Sequence, residues 1–151
     1  MLPPLSRVFE ICLYSLLNFF PFLIFALYPF RDDLRFSRTK TGLLIVVLTF
    51  LQILFGLLAC FSTGNISAVL SLISTLSYAF FYFTVIRKSP GQLLFVLLMI
   101  SNIANLVVIT AKCLEGQFFP DFALLPYRYS MSLFMVIVEI FILIPVFIFL
   151  K

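Results

Sequence analysis

The sequence predicts an all-α integral membrane protein, a bundle of about five transmembrane helices. Apolar residues make up 64% of the 151-residue chain and charged residues 11%, against about 45–50% and about 25% in soluble domains. A soluble domain of this length could not bury so much apolar side chain. The apolar residues fall into runs of the length that a bilayer-spanning helix needs, about 20 residues. The runs do not alternate polar and apolar residues as barrel strands do.

The spans follow one another with short breaks, and together they form a single domain. The first, residues 8–29, is expected to be a retained helix, since its apolar run is long and no small-residue cleavage site follows it. The others are residues 42–61, 66–86, 93–111 and 131–150. The breaks between them carry the charged and turn-forming residues. Because the last span ends at Lys151, we expect the chain to be the membrane part of a longer protein.

Basic residues set the expected orientation. One side of the membrane receives Arg31, Arg35, Arg38, Lys40, Arg87, Lys88 and Lys151, and the other receives Arg7, Lys112 and Arg128. The cytoplasmic side carries the excess of Lys and Arg in multi-pass proteins. The N-terminus is therefore predicted to lie outside and the C-terminus in the cytoplasm.

Glu139 is the first candidate functional residue, because it lies near the middle of the fifth span. A carboxylate at that depth costs about 2.5–3.5 kcal/mol on insertion scales, so it should face the bundle. It would serve as a coupling group or ligand contact, or as a structural carboxylic acid bonded to a neighbouring helix. Asn102 and Asn105 lie three residues apart on one face of the fourth span. A contact between this pair and Glu139 is predicted, and packing between helices is the alternative role for the two amides.

Two stripes of small and hydroxyl residues run along the second and third spans. They are Thr49, Gln52, Gly56, Ala59 and Thr63, followed by Ser67, Ser71, Ser74, Tyr78 and Tyr82. Such stripes allow close approach of helices, and a pore lining is the alternative.

The segment 112–130 is rich in Phe, Pro and Tyr and carries Arg128. It is expected to pack on the bundle mouth or to receive an apolar ligand or peptide. Glu10 is expected to reach the membrane surface without a role.

Several functions are excluded by what the sequence lacks. The chain has no His, so it has no His-based catalysis and no phosphoacceptor His. No nucleotide-binding loop or hydrolase motif occurs, so no enzyme activity and no cofactor are expected of this chain. Cys12, Cys60 and Cys113 lie far apart; buried thiols are expected, with a Cys60–Cys113 disulfide as the alternative. The net charge of +4 lies at the span ends and does not indicate a nucleic-acid partner.

Three segments of the chain resemble a known family. The segments SNIAN (residues 101–105), AKCLEG (111–116) and YRYS (127–130) are similar to the N-terminal membrane region of GHKL-type sensor histidine kinases of bacteria, the AgrC-like group. The resemblance covers roughly two-thirds of the chain. It implies a homodimer in the plasma membrane that detects an extracellular or membrane-borne ligand, in relatives often a peptide. A kinase domain would follow in a longer protein.

The expected function is therefore the sensing and signal-transmitting membrane region of a two-component sensor histidine kinase. Glu139, Asn102, Asn105 and Arg128 are the candidate ligand or coupling residues. Two alternatives remain open. One is a small membrane transporter or channel subunit that uses Glu139 as its coupling group, and the other is a structural or accessory membrane protein.

Overall fold

Helices account for nearly the whole structure. The computed structural model describes residues 4–150. Its helices are α1 (Leu5–Leu27), α2 (Arg38–Phe61), α3 (Asn65–Val85), α4 (Pro90–Phe118), the short α5 (Pro120–Ala123) and α6 (Tyr129–Leu150), and a 3-10 turn, Tyr28–Phe30, follows α1. Five of them are long and apolar enough to cross a membrane. The prediction of an all-helical chain with five such helices is confirmed.

Helix α1 is the centre of the bundle. It packs against α2, α4 and α6, while α2 also packs on α3 and α4 on α6. Helices α3 and α4 contact each other much less closely. We call the end that holds the start of α1, the α2–α3 turn and the α4–α6 connection the N-terminal end. The opposite end, with the α1–α2 and α3–α4 loops and the end of α6, is the C-terminal end.

Helix α4 is longer than its apolar run. The predicted span ended at residue 111, where Lys112 begins a charged segment, but the helix continues to Phe118. Within this extension the Lys112 ammonium lies 2.7 Å from the Glu115 carboxylate, one helical step away. Charge ends a membrane span without ending a helix, because an ion pair at this spacing stabilises helical backbone. The sequence boundary was therefore wrong for the helix.

The two loops of the C-terminal end are joined by their backbones. The Arg35 amide donates to the Val85 carbonyl and the Arg87 amide to the Asp33 carbonyl, both at 2.8 Å. These bonds form an isolated antiparallel bridge between Leu34 and Ile86. The Lys88 ammonium lies 3.1 Å from the Asp33 carboxylate. The bridge holds the ends of α1 and α3 next to the starts of α2 and α4.

The polar stripes do meet at helix interfaces, as predicted. The Gln52 amide donates to the Ser74 carbonyl at 2.9 Å, and the Ser74 hydroxyl donates to the Gln52 amide oxygen. Gly56 lies so close to Ser15 of α1 that a Cβ atom there would collide with the Ser15 hydroxyl. The hydroxyl of Tyr82, which is fully buried, donates to the Ala26 carbonyl at 3.0 Å. The interface prediction is confirmed for these residues.

Candidate functional site

Glu10 joins α1 to the start of α6 at the N-terminal end. Its carboxylate is buried, with 4% of the residue exposed. One oxygen accepts a hydrogen bond of 2.8 Å from Arg7, and the other lies 3.5 Å from the Arg128 guanidinium. Arg7 also donates to the backbone carbonyls of Pro126 and Tyr127. The expectation that Glu10 merely reaches the membrane surface is wrong, because basic groups from two separate segments surround it.

Glu115 forms a second buried ionic cluster at the same end. This residue is fully buried at the end of α4. Its carboxylate accepts a hydrogen bond of 2.7 Å from Lys112 and another from the Ser130 hydroxyl. The Lys112 ammonium also donates to the Ala123 carbonyl at 2.9 Å. Glu115 therefore fastens α5 and the first turn of α6 to the end of α4.

Tyr127 adopts a backbone conformation that side chains rarely take. Its φ is 59°, in the left-handed region that disfavours residues with a Cβ atom. Its ring packs on the ring of Tyr14 with 4.5 Å between centroids, and Arg7 donates to its carbonyl at 3.4 Å. A strained residue persists where its surroundings determine its conformation. The connection between α4 and α6 therefore packs down on α1, as the sequence indicated.

A groove runs between α1 and α6 and begins beneath this connection. Its N-terminal part has a volume of about 700 Å³. The wall is apolar except at the rim and consists of Glu10, Leu13, Leu17, Phe119, Phe122, Arg128, Tyr129, Ser130, Ser132, Leu133 and Val136. A further part of about 360 Å³ contains Glu139 and extends to Phe147, and it shares Leu17 and Val136 with the first part. We call the two parts together the α1–α6 groove.

Three polar atoms in this groove are buried without a hydrogen-bond partner among residues 4–150. They are Arg128 Nε, Ser132 Oγ and Glu139 Oε1. Ser132 is 2% exposed and Glu139 6% exposed, so neither side chain is hydrated at the surface. An unpaired buried polar group costs about 1–3 kcal/mol. Together, a guanidinium, a hydroxyl and a carboxyl along an apolar groove are suited to a ligand that has polar groups on an apolar body.

A separate cavity of about 520 Å³ lies among α1, α2, α3 and α4, and Tyr127 covers it at the N-terminal end. Many of its wall residues carry hydroxyl or carboxamide groups. These are Tyr14, Ser15, Asn18, Gln52, Ser71, Ser74, Thr75, Tyr78, Ser101, Asn105 and Tyr127. The Tyr78 hydroxyl is buried and has no hydrogen-bond partner among residues 4–150. We call this space the polar cavity.

The structure separates the residues that the sequence singled out. Arg128 and Glu139 line the α1–α6 groove, whereas Asn105 lines the polar cavity. The Asn102 amide donates to the Leu98 carbonyl of its own helix at 3.0 Å. No hydrogen bond joins either asparagine to Glu139 within the described part of the chain, so the predicted contact is wrong. Consecutive spans need not place their polar faces against each other.

The cysteines and acidic residues do not come together as a site. Cys12, Cys60 and Cys113 are free; Cys12 and Cys60 are half-buried and Cys113 is exposed, so the expectation of buried thiols is wrong. Across residues 4–150, no three His, Cys, Asp or Glu side chains are placed to hold a metal ion.

Sequence reasoning missed Ser132, Glu10 and the buried position of Glu115. The spacing of Arg7 and Glu10, three residues apart on one helix, was a usable signal for the first ion pair.

No protein-family model, curated protein or solved structure matches the chain.

Proposed function

We propose that this chain is a membrane-embedded sensing region that binds an anionic amphiphile in the α1–α6 groove. The observation that carries the proposal is a pair of buried groups, Arg128 Nε and Ser132 Oγ, that have no hydrogen-bond partner among the described residues and lie in an apolar groove of about 700 Å³. The resemblance to AgrC-like sensor histidine kinases supports a sensing role. The groove supports the class of ligand.

The charges at the rim favour an anionic end group. Arg7 and Arg128 both lie against Glu10, so one positive charge is left over in this cluster. The Arg128 guanidinium is 3.5 Å from Glu10, and its buried Nε has no partner within residues 4–150. Charge-assisted hydrogen bonds to a carboxylate or phosphate are strong. A ligand anion at Arg128 would also accept a hydrogen bond from Ser132, one helical turn further along α6.

The apolar body of such a ligand would lie along α1 and α6. Leu13, Leu17, Leu133 and Val136 form this part of the wall. Leu13 and Leu133 are 39% and 56% exposed, so the groove is open at its side. In a bilayer that side faces the hydrocarbon region. A ligand could therefore enter from the membrane itself, which fits a membrane-borne stimulus.

Binding at one end of α6 provides a means of transmission to the other end. At the C-terminal end the ring of Phe147 packs on Phe25 and Tyr28, with centroid distances of 6.3 and 5.1 Å. Pro21 lies inside α1 and Pro145 inside α6, and each removes a helical hydrogen bond. A ligand that separates the helices near Ser132 would tilt α6 about its aromatic contact. Signalling then requires two helix arrangements, of which the ligand binds one better.

In this proposal the protein is a multi-pass protein of a bacterial plasma membrane, with its N-terminal end outside. The chain would act as a homodimer and pass its signal to a cytoplasmic kinase domain, as the family resemblance implies. The excess of basic residues at the C-terminal end supports this orientation.

Photocrosslinking tests the proposal. The chain, reconstituted in lipid nanodiscs, is incubated with photoreactive palmitic acid, and the crosslinked residues are mapped by mass spectrometry. Crosslinks are expected on the residues of α1 and α6 that line the groove, around Leu13 on α1 and around Val136 on α6. Arg128→Gln should lower the yield about tenfold, since a hydrogen bond to a charged group contributes about 1.5–3 kcal/mol. Arg31→Gln, at an exposed arginine of the C-terminal end, is the matched control. Crosslinks spread evenly over all five long helices would refute the proposed site.

Transport with Glu139 as the coupling group is a second candidate function. It is favoured by the buried Glu139 carboxyl in the far part of the groove, one oxygen of which has no hydrogen-bond partner in the described chain. Proton-coupled uptake of palmitate into proteoliposomes should be lost in Glu139→Gln, because the Gln side chain cannot take up and release a proton. Gln keeps the hydrogen-bonding capacity of the carboxyl group. Palmitate crosslinking should persist in that variant. Unchanged uptake, or no uptake by the wild-type chain, would reject transport.

A further inference from the structure

The polar cavity has hydrogen-bonding groups that the protein itself does not use. Gln52 and Ser74 bond to each other across the wall. Asn18 and Asn105, on opposite helices, line the cavity and make no hydrogen bond within the described residues. The Tyr78 hydroxyl is buried and likewise unpartnered. Two carboxamides and a phenol are therefore available to an occupant.

The wall selects for an uncharged occupant. Within the part of the chain that the structure describes, no Asp, Glu, Lys or Arg side chain lines this cavity. A charged molecule would lose its hydration there without gaining a counter-charge, which is costly. An apolar molecule would leave the carboxamides and hydroxyls unpaired, at about 1–3 kcal/mol for each buried group. Carboxamides and hydroxyls each donate and accept, so the matching ligand also does both.

We propose that the polar cavity binds a neutral polyol of monosaccharide size. Its volume of about 520 Å³ lies within the usual range for small-molecule sites, about 300–1,000 Å³. Phe19, Phe55 and Tyr78 add aromatic rings to the wall, against which the C–H face of a sugar ring can pack. This site is separate from the α1–α6 groove and does not depend on the function proposed for that groove.

The weak contact between α3 and α4 leaves a gap in the cavity wall. Ser71 and Thr75 on α3 and Ser101 and Asn105 on α4 all line the cavity and are all exposed. Their polar groups are therefore available to a polyol that occupies the cavity.

Protection of an engineered thiol tests the proposal. Ser71→Cys is introduced into the full chain after the three native cysteines have been changed to Ser, and its alkylation rate is measured in nanodiscs. At about 10 mM D-glucose, a millimolar Kd would slow alkylation about tenfold. D-Glucuronate, which has the same ring and a negative charge, should slow it less than about twofold. No protection by glucose, equal protection by glucuronate, or an unreactive thiol would each overturn the proposal.

Two asparagines of α4 provide a matched pair of variants. Asn105→Leu removes a carboxamide from the wall and should abolish glucose protection. Asn102→Leu is the same change three residues earlier, outside the lining residues, and should keep it. Asn18→Leu tests the opposite wall if Asn105→Leu does not fold, as judged by circular dichroism. Equal loss in the Asn102 and Asn105 variants would mean that the carboxamide of Asn105 does not contact the ligand.

Discussion

Replacing Glu10 by Gln tests whether the buried ionic cluster holds the N-terminal end together. The change keeps the shape of the side chain and removes its charge. At an effective dielectric constant of about 20, the pairs at 2.8 Å and 3.5 Å have gross Coulomb energies of about 6 and about 5 kcal/mol. Desolvation offsets most of this. Arg7 and Arg128 side chains are 21% and 35% exposed, so the net value lies between that of surface pairs, up to about 1 kcal/mol, and that of buried pairs, about 3–5 kcal/mol.

We therefore expect Glu10→Gln to lower the free energy of unfolding by about 2 kcal/mol. Reversible SDS unfolding in mixed micelles, followed by circular dichroism, measures this value. Asp32→Asn is the control, because Asp32 pairs with Arg31 at 3.6 Å with both side chains largely exposed. It should change stability by less than about 0.5 kcal/mol.

Limited proteolysis gives a second measure of the same cluster. Release of Arg7 from the carbonyls of Pro126 and Tyr127 should speed chymotrypsin cleavage at Tyr127 in Glu10→Gln. If Glu10→Gln and Asp32→Asn were equally stable and equally resistant to the protease, burial of the Glu10 pair would contribute nothing, and the reasoning would be refuted.

Four further tests address other features. Tyr82→Phe should lower the free energy of unfolding by about 1 kcal/mol, because it leaves the Ala26 carbonyl unpaired. The control is Tyr129→Phe, which should lower it little, because the Tyr129 hydroxyl is exposed and lies 3.5 Å from the Ser6 carbonyl. Equal losses in the two variants would contradict this. Gly64→Ala should destabilise the α2–α3 turn by about 1–3 kcal/mol, because Gly64 has a φ of +62°. Gly116→Ala, at a helical position with space for a Cβ atom, should stabilise the protein by up to about 1 kcal/mol. A more stable Gly64 variant than Gly116 variant would be contrary evidence. Ser132→Ala should stabilise the empty protein by about 1 kcal/mol and weaken palmitate crosslinking, and a loss of stability would show that Ser132 has a structural partner. In intact cells a membrane-impermeant maleimide should label Cys113 and fail to label Ser89→Cys; the reverse pattern would invert the proposed orientation.

The length of the apolar runs and their lack of alternation were sufficient to predict five helices. This worked because each run is as long as a bilayer-spanning helix and is bounded by charged or turn-forming residues. The same reasoning failed at Lys112 and Glu115, where opposite charges one helical step apart extend α4. Composition carries no information about such pairing, because the sequence alone does not show whether a charged side chain meets an opposite charge in the folded protein.

The sequence singled out individual residues but did not show which of them lie together. Arg128 and Glu139 line the two parts of the α1–α6 groove, an arrangement that the sequence analysis did not predict. The link from Asn102 and Asn105 to Glu139 failed because rotation of each helix about its axis is set by packing, which the chain order does not reveal. Ser132 gave no signal at all, because a hydroxyl is ordinary in a membrane helix and becomes notable only once it is seen to lack a partner.

The distribution of polar contacts along α6 has a mechanical consequence. Side-chain hydrogen bonds and ion pairs hold this helix at Arg128, Tyr129 and Ser130. Beyond Ser130, in the described part of the chain, α6 is held by apolar packing. Apolar contacts have no preferred direction, so they resist separation more than sliding or tilting. The Leu34–Ile86 bridge joins the ends and starts of the other four long helices at the C-terminal end, so among the described residues α6 is the long helix that no polar contact fixes there.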